Sequence, residues 1–233
     1  MNIIKKQSPN QNERKDGMKP SMLILHYTGT KTSEEADAIY MTPDMVSPHY
    51  MVDIDGTITS YAKESMRSWH AGKSSWNGIN DINSASIGIE VVNGGHENNL
   101  PDFEAVQIEA LIKLIRDIRS RWNIADHNIL GHSDIAPGRK VDPGEHFPWA
   151  VLSEAGIGLM PRLSHSSGEV DTPIELFSAL KQWGYDYIDD FDLMVLEFSR
   201  HYLPEDFGKE IDEQKLYAAI NSLIEQKDLT SPK

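Results

Sequence analysis

His26 stands at the end of the apolar run Met22-Leu23-Ile24-Leu25, and His132 at the end of a second run, Ile129-Leu130-Gly131. Asp142 follows in a loop rich in glycine and proline. Two imidazoles and a carboxylate, with water in a fourth position, are a usual donor set for a catalytic zinc ion. Strand ends deliver such side chains rigidly, and a loop can complete the set. The same residues admit a plainer reading, in which each histidine caps a strand or fills a polar niche of the core. Glu90 lies within Ile89-Glu90-Val91. Such a carboxylate either faces solvent from a half-buried strand or points into a site where desolvation raises its pKa toward that of a working general base. Lys140 precedes Asp142 by two residues, so an extended segment points both side chains the same way. It is either an exposed loop lysine or a partner for a developing oxyanion.

The elements that must position these residues follow from pattern. Met22–Tyr27 reads as a buried strand ended by the turn residues Thr28-Gly29-Thr30. Ser33 is placed to cap a short helix through about Met41, with Glu34 and Glu35 in its first turn. His49–Ile54 and Thr57–Tyr61, joined by Asp55-Gly56, read as a hairpin. Ile87–Val92 is rich in β-branched residues and reads as a further strand. Asp102 is placed to cap a helix in which Ile108, Leu111, Ile112, Ile115, Ile118 and Trp122 recur at helical spacing. Residues 1–20 are polar and read as a loose arm, 161–172 as a linker, and 173–182, 190–203 and 212–226 as three amphipathic helices. The expected class is α/β: a mixed central β-sheet flanked by helices over 21–160, plus a small three-helix domain over 173–233.

The 233 residues carry 22 Lys and Arg against 36 Asp and Glu, a formal net charge of −14. That acidity argues against sequence-independent nucleic-acid binding. Cysteine is absent, which excludes disulfides, thiolate metal sites and cysteine nucleophiles. No apolar run is long enough to span a membrane.

Several separated segments, in order, carry a resemblance: LILHYTGT, VSPHYMVDIDGTI, WHAGKSSWNG, NSASIGIEVVN and ILGHSDIAPGRKVDPGEHFPW. Over roughly residues 20–150 the chain resembles the zinc-dependent N-acetylmuramoyl-L-alanine amidases of the amidase-2 (AmpD/AmiD) type. Their superfamily includes the peptidoglycan-recognition proteins and the T7-type phage lysozyme. The resemblance implies one Zn2+ per chain held by His26, His132 and Asp142, with Glu90 as catalytic acid/base and Lys140 at the oxyanion. It implies hydrolysis of the amide between the lactyl group of N-acetylmuramic acid and L-Ala, in muropeptides or peptidoglycan. His70 is expected to line the cleft, and Trp69, Asn83 and Arg139 are further substrate-binding candidates. Trp76 and Trp149 belong either to that groove or to the core. His49 and His146 are read as structural, and His96, His127, His165 and His201 as surface residues.

One departure stands out. Many relatives carry an arginine at the position of Asp81, where it can meet a carboxylate of the peptide; Arg67, Lys73 or Arg139 are the candidate substitutes. The segments TPIELFSALKQWGYDY, FDLMVLEFSRHYLPEDFGKEID and QKLYAAINSLI resemble a three-helix peptidoglycan-binding domain; the alternative is a plain helical cap on the amidase. The chain is expected to be a monomer, with muropeptide or peptidoglycan as its partner. The lack of an apolar leader favours the cytoplasm, whereas a wall-binding tail would suit the periplasm or an exported protein. A non-catalytic peptidoglycan-binding or sensing protein is the rival reading, disfavoured because all three ligand positions, Glu90 and Lys140 are present.

Overall fold

A computed structural model describes residues 2–163 and 173–230. The strands are β1 (Ile3–Lys5), β2 (Gln11–Glu13), β3 (Met22–Tyr27), β4 (Tyr50–Val52), β5 (Ile58–Ser60), β6 (Met66–Ser68), β7 (Ser86–Val91) and β8 (Ile129–Gly131). The helices are α1 (Ser33–Tyr40), α2 (Ile82–Ala85), α3 (Ala105–Arg119), α4 (His132–Ile135), α5 (Trp149–Glu154), α6 (Pro173–Trp183), α7 (Phe191–Tyr202) and α8 (Glu213–Thr230). Six strands form one sheet in the order β1-β5-β4-β7-β3-β8, and β2 pairs with β6 apart from it. Only the β4–β5 hairpin is antiparallel within the six-stranded sheet; its other pairs are parallel. The mixed sheet flanked by helices agrees with the expected class.

Side-chain alternation along the central strands builds two cores. Leu23 and Leu25 of β3 and Ile87, Ile89 and Val91 of β7 pack with Ile108, Leu111, Ile115 and Ile118 of α3. Met22 and Ile24 point the other way, into a cluster with Leu180, Trp183, Phe198, Leu216 and Ile220 from α6, α7 and α8. Burial of each such side chain contributes about 1.5–3 kcal/mol. The C-terminal helices therefore share a core with the sheet face that carries His26. Among the described residues no helix is long and apolar enough to cross a membrane.

Three local readings differ from the structure. Thr32, not Ser33, caps α1 through the Glu35 N–H. Asp102 does not cap α3, which begins at Ala105 behind Glu104; Asp102 is exposed and faces His146 instead. The first twenty residues are not loose. β1 extends the sheet beside β5, β2 pairs with β6, and the buried Arg14 guanidinium donates to the carbonyls of Glu64, Asn83, Ser84 and Ser86. A polar segment pinned by backbone pairing and one buried cation leaves no apolar period to read. Most of the supposed linker, including His165, lies outside the described residues.

Gly184, just after α6, sits against Trp76, which is fully buried; a Cβ there would stand 2.2 Å from the indole ring. Gly184→Ala is expected to destabilise the whole protein in one transition by about 1–3 kcal/mol, the range for overpacking a filled core. Denaturant unfolding measures this, and an unchanged midpoint would contradict the shared core.

Candidate metal centre and active site

The pairing of β3 with both neighbours assembles the site. In register, His26 on β3 lies opposite Glu90 on β7, and Leu25 lies opposite Gly131 on β8, the residue before His132. His132 opens α4, and its neighbour Ser133 donates its backbone N–H to the Asp142 carbonyl at 3.0 Å. That contact folds the glycine- and proline-rich loop back onto the strand ends. His26 Nδ1 is then 2.8 Å from Asp142 Oδ2, His132 Nδ1 is 3.0 Å from the same oxygen, and the two Nδ1 atoms are 3.0 Å apart. All three residues are buried.

Three donor atoms at these separations suit one small cation with bonds of about 2 Å. The outer ring nitrogens agree. His132 Nε2 lies 3.0 Å from the Ala71 carbonyl, which can only accept, so Nε2 carries the proton and Nδ1 keeps its lone pair. His26 Nε2 is likewise engaged, 3.0 Å from His70 Nδ1. The residues present fit a metal ion bound through Nδ1, Nδ1 and a carboxylate oxygen.

A cleft of about 410 Å³ opens onto these atoms. Glu90, Tyr40, His70, Arg139 and Lys140 line it with the three candidate ligands. Glu90 Oε2 is shielded from solvent and has no hydrogen-bond partner among the described residues. Burial, then the Asp142 charge, pushes the Glu90 carboxyl well above its ordinary range; Lys140 and the Tyr40 hydroxyl oppose this.

The chain is similar to known proteins along most of its length. Residues 16–145 match the Amidase_2 family, described as N-acetylmuramoyl-L-alanine amidase. The N-acetylmuramoyl-L-alanine amidase AmiD of Escherichia coli is 33% identical over 230 residues, covering 88% of this chain and 82% of AmiD. The chain belongs to this amidase family. The 1,6-anhydro-N-acetylmuramyl-L-alanine amidase AmpD of Haemophilus influenzae is 30% identical over 161 residues, which cover 61% of this chain and 86% of AmpD. AmpDH3 from Pseudomonas aeruginosa, in complex with anhydromuramic pentapeptide, superposes with a TM-score of 0.80 at 29% identity, covering 91% of this chain and 94% of AmpDH3. Similarity to AmiD and AmpDH3 thus runs over most of this amidase, whereas similarity to AmpD covers a smaller share of it.

The other candidates are placed as follows. Arg139 lines the cleft and donates through Nη2 to the carbonyls of Ala71 and Lys73. Asn83 lies behind the cleft, where its Oδ1 accepts the backbone N–H groups of His70 and Ala71. Trp69 is not in the cleft lining and donates to Asn12 Oδ1. Trp76 and Trp149 are buried in the two cores. Asp81 caps α2 and pairs with Arg67 at 3.2 Å. His49 holds strands together, accepting from the Gly88 N–H and donating to the Met66 carbonyl. His96 is exposed at the rim, bridging the Tyr27 hydroxyl and Glu145.

His201 is not a surface residue. It is 2% exposed, stacked on Trp149 and Tyr202, and its Nδ1 meets Asp134 Oδ2 at 2.7 Å. Asp134 also accepts from the Gly131 N–H and the Tyr185 hydroxyl, so α7 and its preceding loop grip the turn that carries His132. Sequence reading passed over this contact. The available signal was the place of His201 on the apolar face of α7, three residues after Phe198 and seven after Met194.

Burial lowers the pKa of His26 to about 4 and of His49 to about 3, and takes His70 well below its ordinary value. Burial also works to raise Asp142, but the His132 and His26 imidazoles outweigh it and hold the carboxyl well below the usual range. The three histidines set an acid limit on the metal-free protein. Unfolded histidine titrates near about 6.5, so below that pH the unfolded chain takes up protons that the fold does not. Stability is expected to fall as pH drops from about 6.5 toward 4, by up to about 1.4 kcal/mol per pH unit for each histidine. Melting temperatures of chelator-treated protein across that window measure it, and a flat profile would contradict buried neutral imidazoles.

Proposed function

We propose that this amidase is a zinc enzyme that hydrolyses the amide between the lactyl group of N-acetylmuramic acid and the L-Ala of a stem peptide. The carrying observation is the convergence of His26 Nδ1, His132 Nδ1 and Asp142 Oδ2 in one solvent-open cleft with Glu90, whose Oε2 has no hydrogen-bond partner among the described residues. The names of its relatives support the bond and the sugar, AmiD and AmpD being amidases of N-acetylmuramoyl- and 1,6-anhydro-N-acetylmuramyl-L-alanine. A full donor set with Glu90 and Lys140 in one cleft favours this over a non-catalytic binding protein.

His26, His132 and Asp142 would hold the zinc, which supplies Lewis acidity and brings the pKa of a water toward neutrality. Glu90 takes the proton of the attacking water and returns it to the departing L-Ala nitrogen. A carboxyl raised by burial is suited to both transfers, because its affinity for the proton is closer to that of water and amine at working pH. Lys140 offers positive charge to the carbonyl oxygen as that oxygen becomes anionic. Arg139 on the cleft wall serves the carboxylates of the peptide. Arg67 does not, because it is absent from the cleft lining and its guanidinium is committed to the Asp81 carboxylate and Asn12. The C-terminal helices turn their apolar faces to the catalytic core, which supports their reading as a fixed cap.

Glu90→Gln is the direct test. It should keep about one zinc per chain and the wild-type fold while kcat falls roughly 10²–10⁴-fold, the contribution of a positioned proton carrier. His132→Ala should lose the zinc itself. A zinc-loaded, folded Glu90→Gln protein with full activity would refute the assignment of Glu90, and unchanged zinc content in His132→Ala would refute the metal centre.

A further inference from the structure

Both candidate metal-binding imidazoles make their outer hydrogen bond to one dipeptide. His26 Nε2 meets His70 Nδ1 at 3.0 Å, and His132 Nε2 meets the carbonyl of Ala71 at 3.0 Å. For a metal to bind either histidine through Nδ1, its Nε2 must carry the ring proton. A carbonyl oxygen guarantees this for His132. For His26 the partner is another imidazole, which could in principle accept or donate, so its own tautomer must be set by something else.

That setting is built into β7. The Ser86 hydroxyl donates to the Ile82 carbonyl at 2.6 Å, which uses its single proton, and the same oxygen lies 3.2 Å from His70 Nε2. Ser86 can then only accept from His70, so His70 carries its proton on Nε2 and presents a bare Nδ1 to His26. Four groups in a row have one consistent polarity: His26 Nε2–H to His70 Nδ1, His70 Nε2–H to Ser86 Oγ, Ser86 Oγ–H to Ile82 carbonyl. The outcome is a free lone pair on His26 Nδ1, pointing at His132 and Asp142.

The dipeptide itself is immobilised. Asn83 Oδ1 accepts both backbone N–H groups, from His70 at 3.0 Å and from Ala71 at 2.8 Å. The His70 ring packs against β7 at Gly88, where a Cβ would fall 2.4 Å from the ring. Ser86, Gly88 and Glu90 alternate along one face of β7, so that face anchors His70, admits its ring and bears the proton carrier.

We propose that the His70–Ala71 dipeptide sets the tautomers of both metal-binding histidines, with Asn83 holding its backbone and Ser86 orienting the His70 ring. His70 and Asn83 are thereby positioning residues rather than substrate contacts. The inference rests on the zinc reading above. Outer partners of this kind typically change metal affinity 10–100-fold when removed.

The test compares His70→Phe, which keeps a ring and lacks the acceptor, with His70→Asn, whose Oδ1 falls where Nδ1 stands. Zinc affinity is read by competition with a chromogenic chelator. His70→Phe should bind zinc about 10–100-fold more weakly than wild type, and His70→Asn should recover most of that loss. In zinc-loaded wild type, long-range proton–nitrogen correlation spectra of labelled histidine should show the His70 proton on Nε2 and its Nδ1 bare; this readout needs no variant to fold. Unchanged zinc affinity in His70→Phe, equal losses in Phe and Asn, or a proton on Nδ1 of His70 would overturn the proposal while leaving the zinc reading intact. A wild-type protein that binds no zinc would overturn both.

Discussion

The site depends on the register of β3 between β7 and β8. Parallel pairing sets His26 beside Glu90 and brings Gly131, and so His132, to the same end of the sheet. A slip of one residue would turn His26 into the core packed against α3 and expose Leu25 in its place, because side chains alternate faces along a strand. Register is therefore enforced by burial. Leu23, Leu25, Ile87 and Ile89 have one apolar layer to enter, while Met22 and Ile24 have another. The same alternation that builds the two cores places the chemistry on one face.

From that register follows an electrostatic arrangement that asks for a cation. The His26 imidazole, whose pKa burial lowers, the His132 imidazole and a carboxylate held ionised by both bring three donor atoms within 3.0 Å of one another. Glu90 stands apart from this set with its proton affinity raised by burial and by Asp142. Carboxylates with opposite pKa shifts in one cleft suit the division of work proposed above, in which Asp142 would hold the metal and Glu90 would move protons. The C-terminal helices complete the frame. His201 and Tyr185 close on Asp134 beside the His132 turn, and Arg200 pairs with Glu145 at the rim.

The residues at the ends of apolar strands were legible in the sequence, because period and turn residues mark a strand end locally. His26 and His132 were found this way, Glu90 as a carboxylate inside an apolar strand, and the Asp55-Gly56 hairpin by its turn residues, Gly56 adopting a φ of 83°. Asp142 needed the loop to fold back and was suggested by its place in a glycine- and proline-rich loop ten residues after His132. What stayed hidden depends on partners remote in sequence. Arg14 is buried by carbonyls some seventy residues away, and His201 by Asp134, sixty-seven residues before it. Asn83 reads as a substrate-binding candidate until its oxygen is seen to hold two amides of the loop after β6. The structural reason for Asp81, an N-cap paired to Arg67, is tertiary as well.

The central claim is metal-dependent cleavage at the bond before L-Ala. The direct measurement is mass spectrometry of products after incubating the zinc-loaded protein with anhydro-N-acetylmuramic acid-L-Ala-D-γ-Glu-L-Lys, the substrate bound in the solved structure of E. coli AmiD. The account predicts two products, anhydro-N-acetylmuramic acid and the intact tripeptide beginning at L-Ala, with release abolished by a chelator and restored by zinc. Intact substrate in the presence of stoichiometric zinc, or cleavage indifferent to the chelator, would contradict it.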